Sequence, residues 1–389
     1  MTANLVDYLL WRGDLPLTSH PLNEVDCAIL SALSYLPFER ILHETKSRTM
    51  TIRDAARTLI ESLEEKKDPL AEEDARFLRA LAESVRFSEA LLSGFVYRLE
   101  EESQTQFSAV TIDLGEEALC VAYRGTDATL IGWKEDFNMG VMCPVPSQAL
   151  SVDYLNRTGG SCARPLVVCG HSKGGNLAVY ASAFCREDIQ GRIRSIYNFD
   201  GPGFSEDVLA APGYARIRER IRSFVPQFSI VGMLFGNGGS CLIVHSEQLG
   251  ILQHDLFSWS VERDRFCYLE SVNSGSRFVD GTLKSWISSL NREQREQFIE
   301  AIYSVLKETQ ARTVKELADN WFTSVRRALR SLKNLDEPTR RAVVQTLLLL
   351  IKSTRAGFNQ AVQAAPALSA EKAPSLPSPD DKNDFSFRS

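Results

Sequence analysis

Ser172 stands at the centre of Gly170-His171-Ser172-Lys173-Gly174, a glycine-x-serine-x-glycine pattern. The residues before it, Leu166-Val167-Val168-Cys169, are of the apolar kind that a strand covered on both faces carries. Those after it, Gly175-Asn176-Leu177-Ala178-Val179-Tyr180, read as a helix. A strand, a sharp turn with serine at its apex and a helix together make a nucleophile elbow. Strand and helix pass so close there that the flanking positions call for glycine. The N–H groups that open the helix put positive potential where an oxyanion would develop on a substrate attacked by the serine. The competing reading of the same residues is a glycine-rich turn that binds an anion or nothing. A nucleotide loop is excluded, because the G-x-x-x-x-G-K-[ST] spacing is absent.

A serine hydroxyl needs a base beside it. Five histidines are available. His20 and His43 precede the serine, and His171 is held in the elbow. His245 falls inside the apolar run Cys241-Leu242-Ile243-Val244, where a sheet role suits it better. His254, in Gln253-His254-Asp255, lies in a loop beyond that run and is the candidate base. In hydrolases built on this elbow the chain order is serine, acid, histidine. Asp200 ends the first strand after the elbow helix, in Asp200-Gly201-Pro202-Gly203, and is the candidate acid; the same residue could equally be a turn aspartate bonded to its own backbone. Asp207 and Asp255 are weaker alternatives. The oxyanion site needs the N–H of the residue after the serine, Lys173, and a second donor from an earlier strand end. The Thr126 N–H, with its hydroxyl, in Arg124-Gly125-Thr126 is the candidate. The Lys173 side chain reads as a solvated cation.

Strands alternating with helical stretches must position these groups. Phe107–Asp113 and Ala118–Tyr123 read as a hairpin across Gly115-Glu116-Glu117. A helix over Ser147–Arg157 leads to the elbow strand, and strands follow at Ile193–Phe199, Ser223–Pro226, Ser240–Ser246 and Phe266–Val272. A helix is expected over Tyr214–Arg222 and a short one around Trp133–Phe137. Asn23-Glu24-Val25-Asp26 caps a helix through Cys27–Leu33. Residues 51–92, rich in Arg, Glu, Ala and Leu, read as two or three amphipathic helices broken near Asp68-Pro69. The expected fold is α/β: a mostly parallel α/β-hydrolase sheet flanked by helices, over residues 1–290, with the 51–92 helices as an insertion. A helical extension over 291–362 and a disordered Ala-, Pro- and Ser-rich tail over 363–389 follow.

The 389 residues, 44% hydrophobic and 24% charged, suit a soluble globular chain with ample core. A net charge of −6 gives nucleic acid no global attraction. The first residues carry no basic segment followed by a long apolar run, and the longest apolar run, Leu347–Ile351, is too short to span a bilayer. A cytoplasmic location is therefore expected. Eight cysteines without C-x-x-C pairs read as reduced thiols, and neither a metal nor another cofactor is expected.

Several stretches together resemble a family of bacterial α/β-hydrolase-fold proteins of unknown function, the megakaryocyte-and-brain-expressed-gene-like family. They are Asp7-Tyr8-Leu9 and Arg12-Gly13-Asp14; Tyr123-Arg124-Gly125-Thr126 with Trp133 and Asp136-Phe137; the elbow through Ala178; Asn198–Phe204; Val225-Pro226-Gln227 with Ser229–Leu234; and Gln253-His254-Asp255 with Trp259. More distantly they look like the class 3, fungal-type lipases. The resemblance spans roughly residues 5 to 290. The lipase likeness implies Ser172 as nucleophile, His254 as base and Thr126 at the oxyanion site. It also implies an acid near Val225-Pro226, where this chain has Gln227, Phe228 and Ser229 and no carboxylate. Either the acid is Asp200, or the site is a Ser-His pair, or catalysis is degraded.

Two functions fit. One is a serine hydrolase of a small-molecule or lipid-like carboxylic ester, with amide or thioester cleavage chemically close. The other is a binding or scaffold protein that keeps the fold without catalysis. The apolar faces of the later helices would suit a membrane surface, a protein partner or the catalytic domain itself.

Overall fold

In the computed structural model, residues 2–42, 49–65, 70–100, 105–126, 144–227, 241–248 and 250–270 are described, with the single positions 102, 139 and 229. The stretch around Trp133, His43, most of 228–240, the 291–362 extension and the tail lie outside the described residues.

Two short capped helices begin the chain. Asn4 caps α1 (Leu5–Arg12) and Asn23 caps α2 (Glu24–Leu33). In each, the asparagine side chain accepts two N–H groups of the first turn, while an aspartate three residues on bonds back to the cap N–H. Next come β1 (Met50–Thr51), α3 (Ile52–Glu65) and α4 (Glu72–Glu83). Then follow β2 (Leu91–Glu100), β3 (Thr105–Asp113), β4 (Leu119–Tyr123), α5 (Pro146–Gly160), β5 (Leu166–His171) and α6 (Lys173–Phe184). The described chain ends with β6 (Ile193–Phe199), α7 (Pro212–Ile217), β7 (Ile221–Pro226), β8 (Cys241–Val244), β9 (Val261–Glu262), β10 (Arg265–Phe266) and β11 (Tyr268–Leu269).

Nine of these strands form one mixed sheet in the order β1-β2-β3-β4-β5-β6-β7-β8-β11. The five central strands, β4 to β8, run parallel, and both flanks are antiparallel. Strands β9 and β10 pair apart from it. Two readings change here. The sheet reaches back to Leu91–Glu100, a ten-residue strand before the first one expected, at Phe107. The helix expected over Tyr214–Arg222 stops at Ile217, and the chain turns into β7 from Ile221.

Alternation along each strand sends side chains into two cores. Val110, Ile112, Cys120, Ala122, Val167 and Cys169 face α1 to α4 and Trp259. Ala109, Val121, Tyr123, Leu166 and Val168 face α5, α6 and α7. Helices therefore cover both faces, and β5 is buried along its whole length. The 51–92 helices are part of this layer, with Leu59, Leu63, Phe77 and Leu81 in the first core.

The first layer is tied together by a buried ion pair. Asp26 and Arg86 have no exposed side-chain surface, and Arg86 Nε donates to Asp26 Oδ1 at 2.7 Å. The guanidinium also donates to the carbonyls of Leu15, His20 and Pro21, and Tyr8 Oη donates to Asp26 Oδ1 at 3.0 Å. This network binds the 84–90 turn to the loop between α1 and α2. Removing one partner would leave the other charge buried. Arg86→Ala should lower unfolding free energy by about 3–5 kcal/mol, read from the denaturant midpoint. A loss below about 1 kcal/mol, the level of an exposed pair, would contradict this account.

Candidate functional site

Ser172 adopts φ 58° and ψ −132°, a positive-φ conformation that residues with side chains rarely take, and directly precedes α6. The crossing explains the glycines. A β-carbon on Gly170 would lie 2.1 Å from the Gly174 carbonyl oxygen, and one on Gly174 would lie 2.1 Å from that of Tyr123. The elbow expected from the sequence is thus the geometry found. Arg124-Gly125-Thr126 crosses beside it: a β-carbon on Gly125 would sit 3.0 Å from Ser172 Cβ. The turn that carries Thr126 therefore passes beside the serine, and Lys173 follows it at the start of α6.

Asp200 ends the neighbouring strand β6. Its backbone is also left-handed, with φ 52°, and its N–H donates to the Phe224 carbonyl at 2.8 Å. The carboxylate is 1% exposed and has partners on both oxygens. Oδ2 lies 2.6 Å from His254 Nδ1, and Oδ1 accepts from Ser229 Oγ at 2.5 Å. The structure therefore brings Asp200 and His254 together. A carboxylate accepts, so Nδ1 carries the proton and the Nε2 lone pair is left for other work. The His254 side chain is 25% exposed, enough to meet a ligand. No hydrogen bond joins Ser172 Oγ to the His254 ring among the described residues.

The other candidates are occupied elsewhere. His245 Nδ1 pairs with Ser260 Oγ at 2.7 Å, and His20 with Ser19. The Asp255 side chain caps the next turn by accepting the Phe257 N–H at 3.0 Å, and burial raises its pKa. Asp207 lies in a helical turn, Glu206–Leu209. The Lys173 side chain is not solvated: it is 1% exposed, and Nζ donates to the carbonyl and side chain of Gln106 on β3.

Residues that sequence reasoning passed over hold these groups in place. Asn176 Nδ2 donates to the carbonyls of Pro202 and Gly203, and Gln148 Nε2 donates to Asn176 Oδ1 at 2.9 Å. Asn198 Oδ1 accepts the Gly201 N–H at 2.9 Å. The Asp200 turn is thereby fixed to the elbow helix. Tyr35, just past α2, reaches His171 Nδ1 at 3.0 Å, and His171 Nε2 lies 2.7 Å from the His254 carbonyl oxygen. The two imidazoles lie against each other with centroids 4.5 Å apart.

The family model for Mbeg1-like proteins matches residues 81–304. The chain belongs to the Mbeg1-like family. The match spans β2 through β11 and so takes in the elbow, the Asp200 turn and the His254 loop, while Tyr35 lies outside it. No curated protein matches the chain. Among solved structures, one titled "Crystal structure of M37 lipase" is similar at a TM-score of 0.33 and 17% identity, covering 54% of this chain and 69% of that one. Among the described residues no cluster of His, Cys, Asp or Glu could hold a metal ion, and no helix is long and apolar enough to cross a membrane.

Burial, with the His254 ring's charge adding to it, holds the His171 imidazole well below its ordinary pKa. The folded ring stays neutral as pH falls, while the unfolded chain takes up a proton near pH 6.5. Above that pH the residue contributes nothing to pH dependence. Below it, stability declines by about 1.4 kcal/mol per pH unit until the folded ring itself titrates. His171→Gln should remove that share of the decline between pH 6.5 and 5, read from urea midpoints. Parallel profiles for the two proteins would refute it.

Proposed function

We propose that the chain is a serine hydrolase acting on carboxylic esters, with Ser172 as nucleophile, His254 as base and Asp200 as the acid that orients it. The observation that carries this reading is the 2.6 Å contact between Asp200 and His254 Nδ1, beside a serine in a left-handed turn. Aspartate holds the imidazole in one tautomer and stabilises its charged form, so Nε2 can take the Ser172 proton as Oγ attacks the carbonyl carbon. The negative charge then forms on the carbonyl oxygen, between the Lys173 N–H and the Thr126 loop. The imidazolium returns its proton to the leaving alkoxide, and water hydrolyses the acyl-enzyme by the same steps reversed. A base of this kind contributes about 10²–10⁴ in rate, and one oxyanion donor about 10²–10³.

The reading extends to small or lipid-like esters, and the same groups would serve a thioester or an amide. The non-catalytic alternative has two grounds, the absence of a carboxylate near Val225-Pro226 and the C-terminal helices with no assigned task; the contact made by Asp200 weakens the first, and the second lies outside the described residues.

Labelling by a fluorophosphonate tests the proposal. Wild-type protein should label, Ser172→Ala should not, and His254→Ala should label at least about 100-fold more slowly. Asp200→Asn should also slow labelling with the fold intact, because an amide in that place favours the wrong tautomer. Folded wild-type protein that fails to label would overturn the hydrolase reading in favour of the binding one.

A further inference from the structure

His254 lies in a short turn outside the sheet, Gly250–His254, and a base must be held to within a fraction of an ångström. Much of that turn is pinned by its own neighbourhood. Gln253 Nε2 donates to the Gln248 carbonyl at 2.8 Å, and the buried Trp259 Nε1 donates to the Gln253 carbonyl at 2.8 Å. The carbonyl of His254 itself is held from a different place. It faces His171 Nε2 at 2.7 Å. A carbonyl oxygen can only accept, so Nε2 carries the hydrogen. In the neutral ring Nδ1 is then an acceptor, and the one hydrogen of the Tyr35 hydroxyl is shared between it, at 3.0 Å, and the His171 carbonyl, at 3.2 Å. The Arg124 guanidinium lies over the Tyr35 ring.

We propose that Tyr35 and His171 form a positioning relay: Tyr35 supports the His171 ring at Nδ1, and His171 clamps the His254 backbone so that its ring is held against Asp200. Neither residue touches the reacting atoms. The inference rests on the reading of Ser172, His254 and Asp200 as catalytic groups, and it gives the N-terminal layer a part in the site. That layer supplies no reacting side chain, and Tyr35 lies before residue 81, where the family match begins. The residue inside the elbow pattern, between glycine and serine, thus has a stated task.

Two readouts on the full chain test it. The first is amide hydrogen exchange of residues 250–256, which needs no catalysis. In His171→Leu this segment should exchange faster than in wild type while β5 amides keep their protection. In His171→Gln, whose amide can still donate to the His254 carbonyl, exchange should stay near wild type. Tyr35→Phe should fall between and covers the case in which His171→Leu does not fold. The second is the fluorophosphonate labelling rate. It should drop about 10- to 100-fold in His171→Leu, as for a misplaced base, about fivefold in Tyr35→Phe, the factor one ordinary hydrogen bond supplies, and little in His171→Gln. A folded His171→Leu with unchanged exchange over 250–256 overturns the relay, as does one that labels at the wild-type rate. If wild-type protein does not label at all, the hydrolase reading falls on its own, and exchange alone decides whether the clamp exists.

Discussion

Everything in this molecule is arranged around the contact between β5 and α6 at the elbow. Two backbones pass where no side chain fits: the Gly174 position lies against the Tyr123 carbonyl, and the Gly170 position against that of Gly174. Such an approach is possible only if the strand is central and its neighbours run parallel, so that the helix can return over the sheet. The strands on either side of β5, β4 and β6, do run parallel to it. Their ends then deliver the Arg124-Gly125-Thr126 turn and the Asp200 turn to the two flanks of Ser172. The strain in Ser172 and Asp200, both at positive φ, is carried by this frame. Asn176, Asn198 and Gln148 fix the turns so that the backbone cannot relax.

Polar groups are buried here only with partners. Arg86 and Asp26 satisfy each other and five further backbone and side-chain groups. Lys173, whose position in the motif suggested a solvated cation, instead runs under the sheet edge to Gln106. An isolated buried ammonium would be costly, so the side chain is anchored at its tip and its stem packs at the start of α6. That leaves the backbone N–H of Lys173, rather than its charge, as the group with a place beside the serine.

The legible parts of the fold and site were those written in adjacent residues. The elbow, the central strands, the Asn23 cap and the pairing of His254 with a turn at Asp200 all announce themselves through local pattern or chain order. What stayed hidden depends on residues far apart in sequence. Tyr35 meets His171 across 136 positions, and Arg86 meets Asp26 across 60. Nothing local marks a tyrosine after a helix as the partner of a histidine in a strand. Strand β2 was hidden for another reason. Its register shifts between Ser93 and Val96, with Gly94 at φ 60°, so the alternation that marks a strand breaks in the middle. The Tyr154 hydroxyl bonds to the Gly94 carbonyl and to Thr111, which holds the irregularity in place.

The end of β7 shows how the site differs from the pattern its lipase likeness implied. An acid was expected there, and the chain has Gln227. That side chain makes a matched pair of hydrogen bonds to the backbone of Ser246, at 2.9 and 2.7 Å, stitching the exit of β7 to the residues after β8. Two residues on, Ser229 donates to Asp200. The residues after β7 thus hold a carboxylate that follows the adjacent strand, β6. Strand β6 lies beside β5, and from its end the Asp200 side chain, on a left-handed backbone, reaches the His254 loop. The buried carboxylate of Asp200 thereby meets a donor at each oxygen, His254 at Oδ2 and Ser229 at Oδ1. Gln227 and Ser229 thus have separate tasks past the end of β7, one bracing Ser246 and the other holding the Asp200 carboxylate.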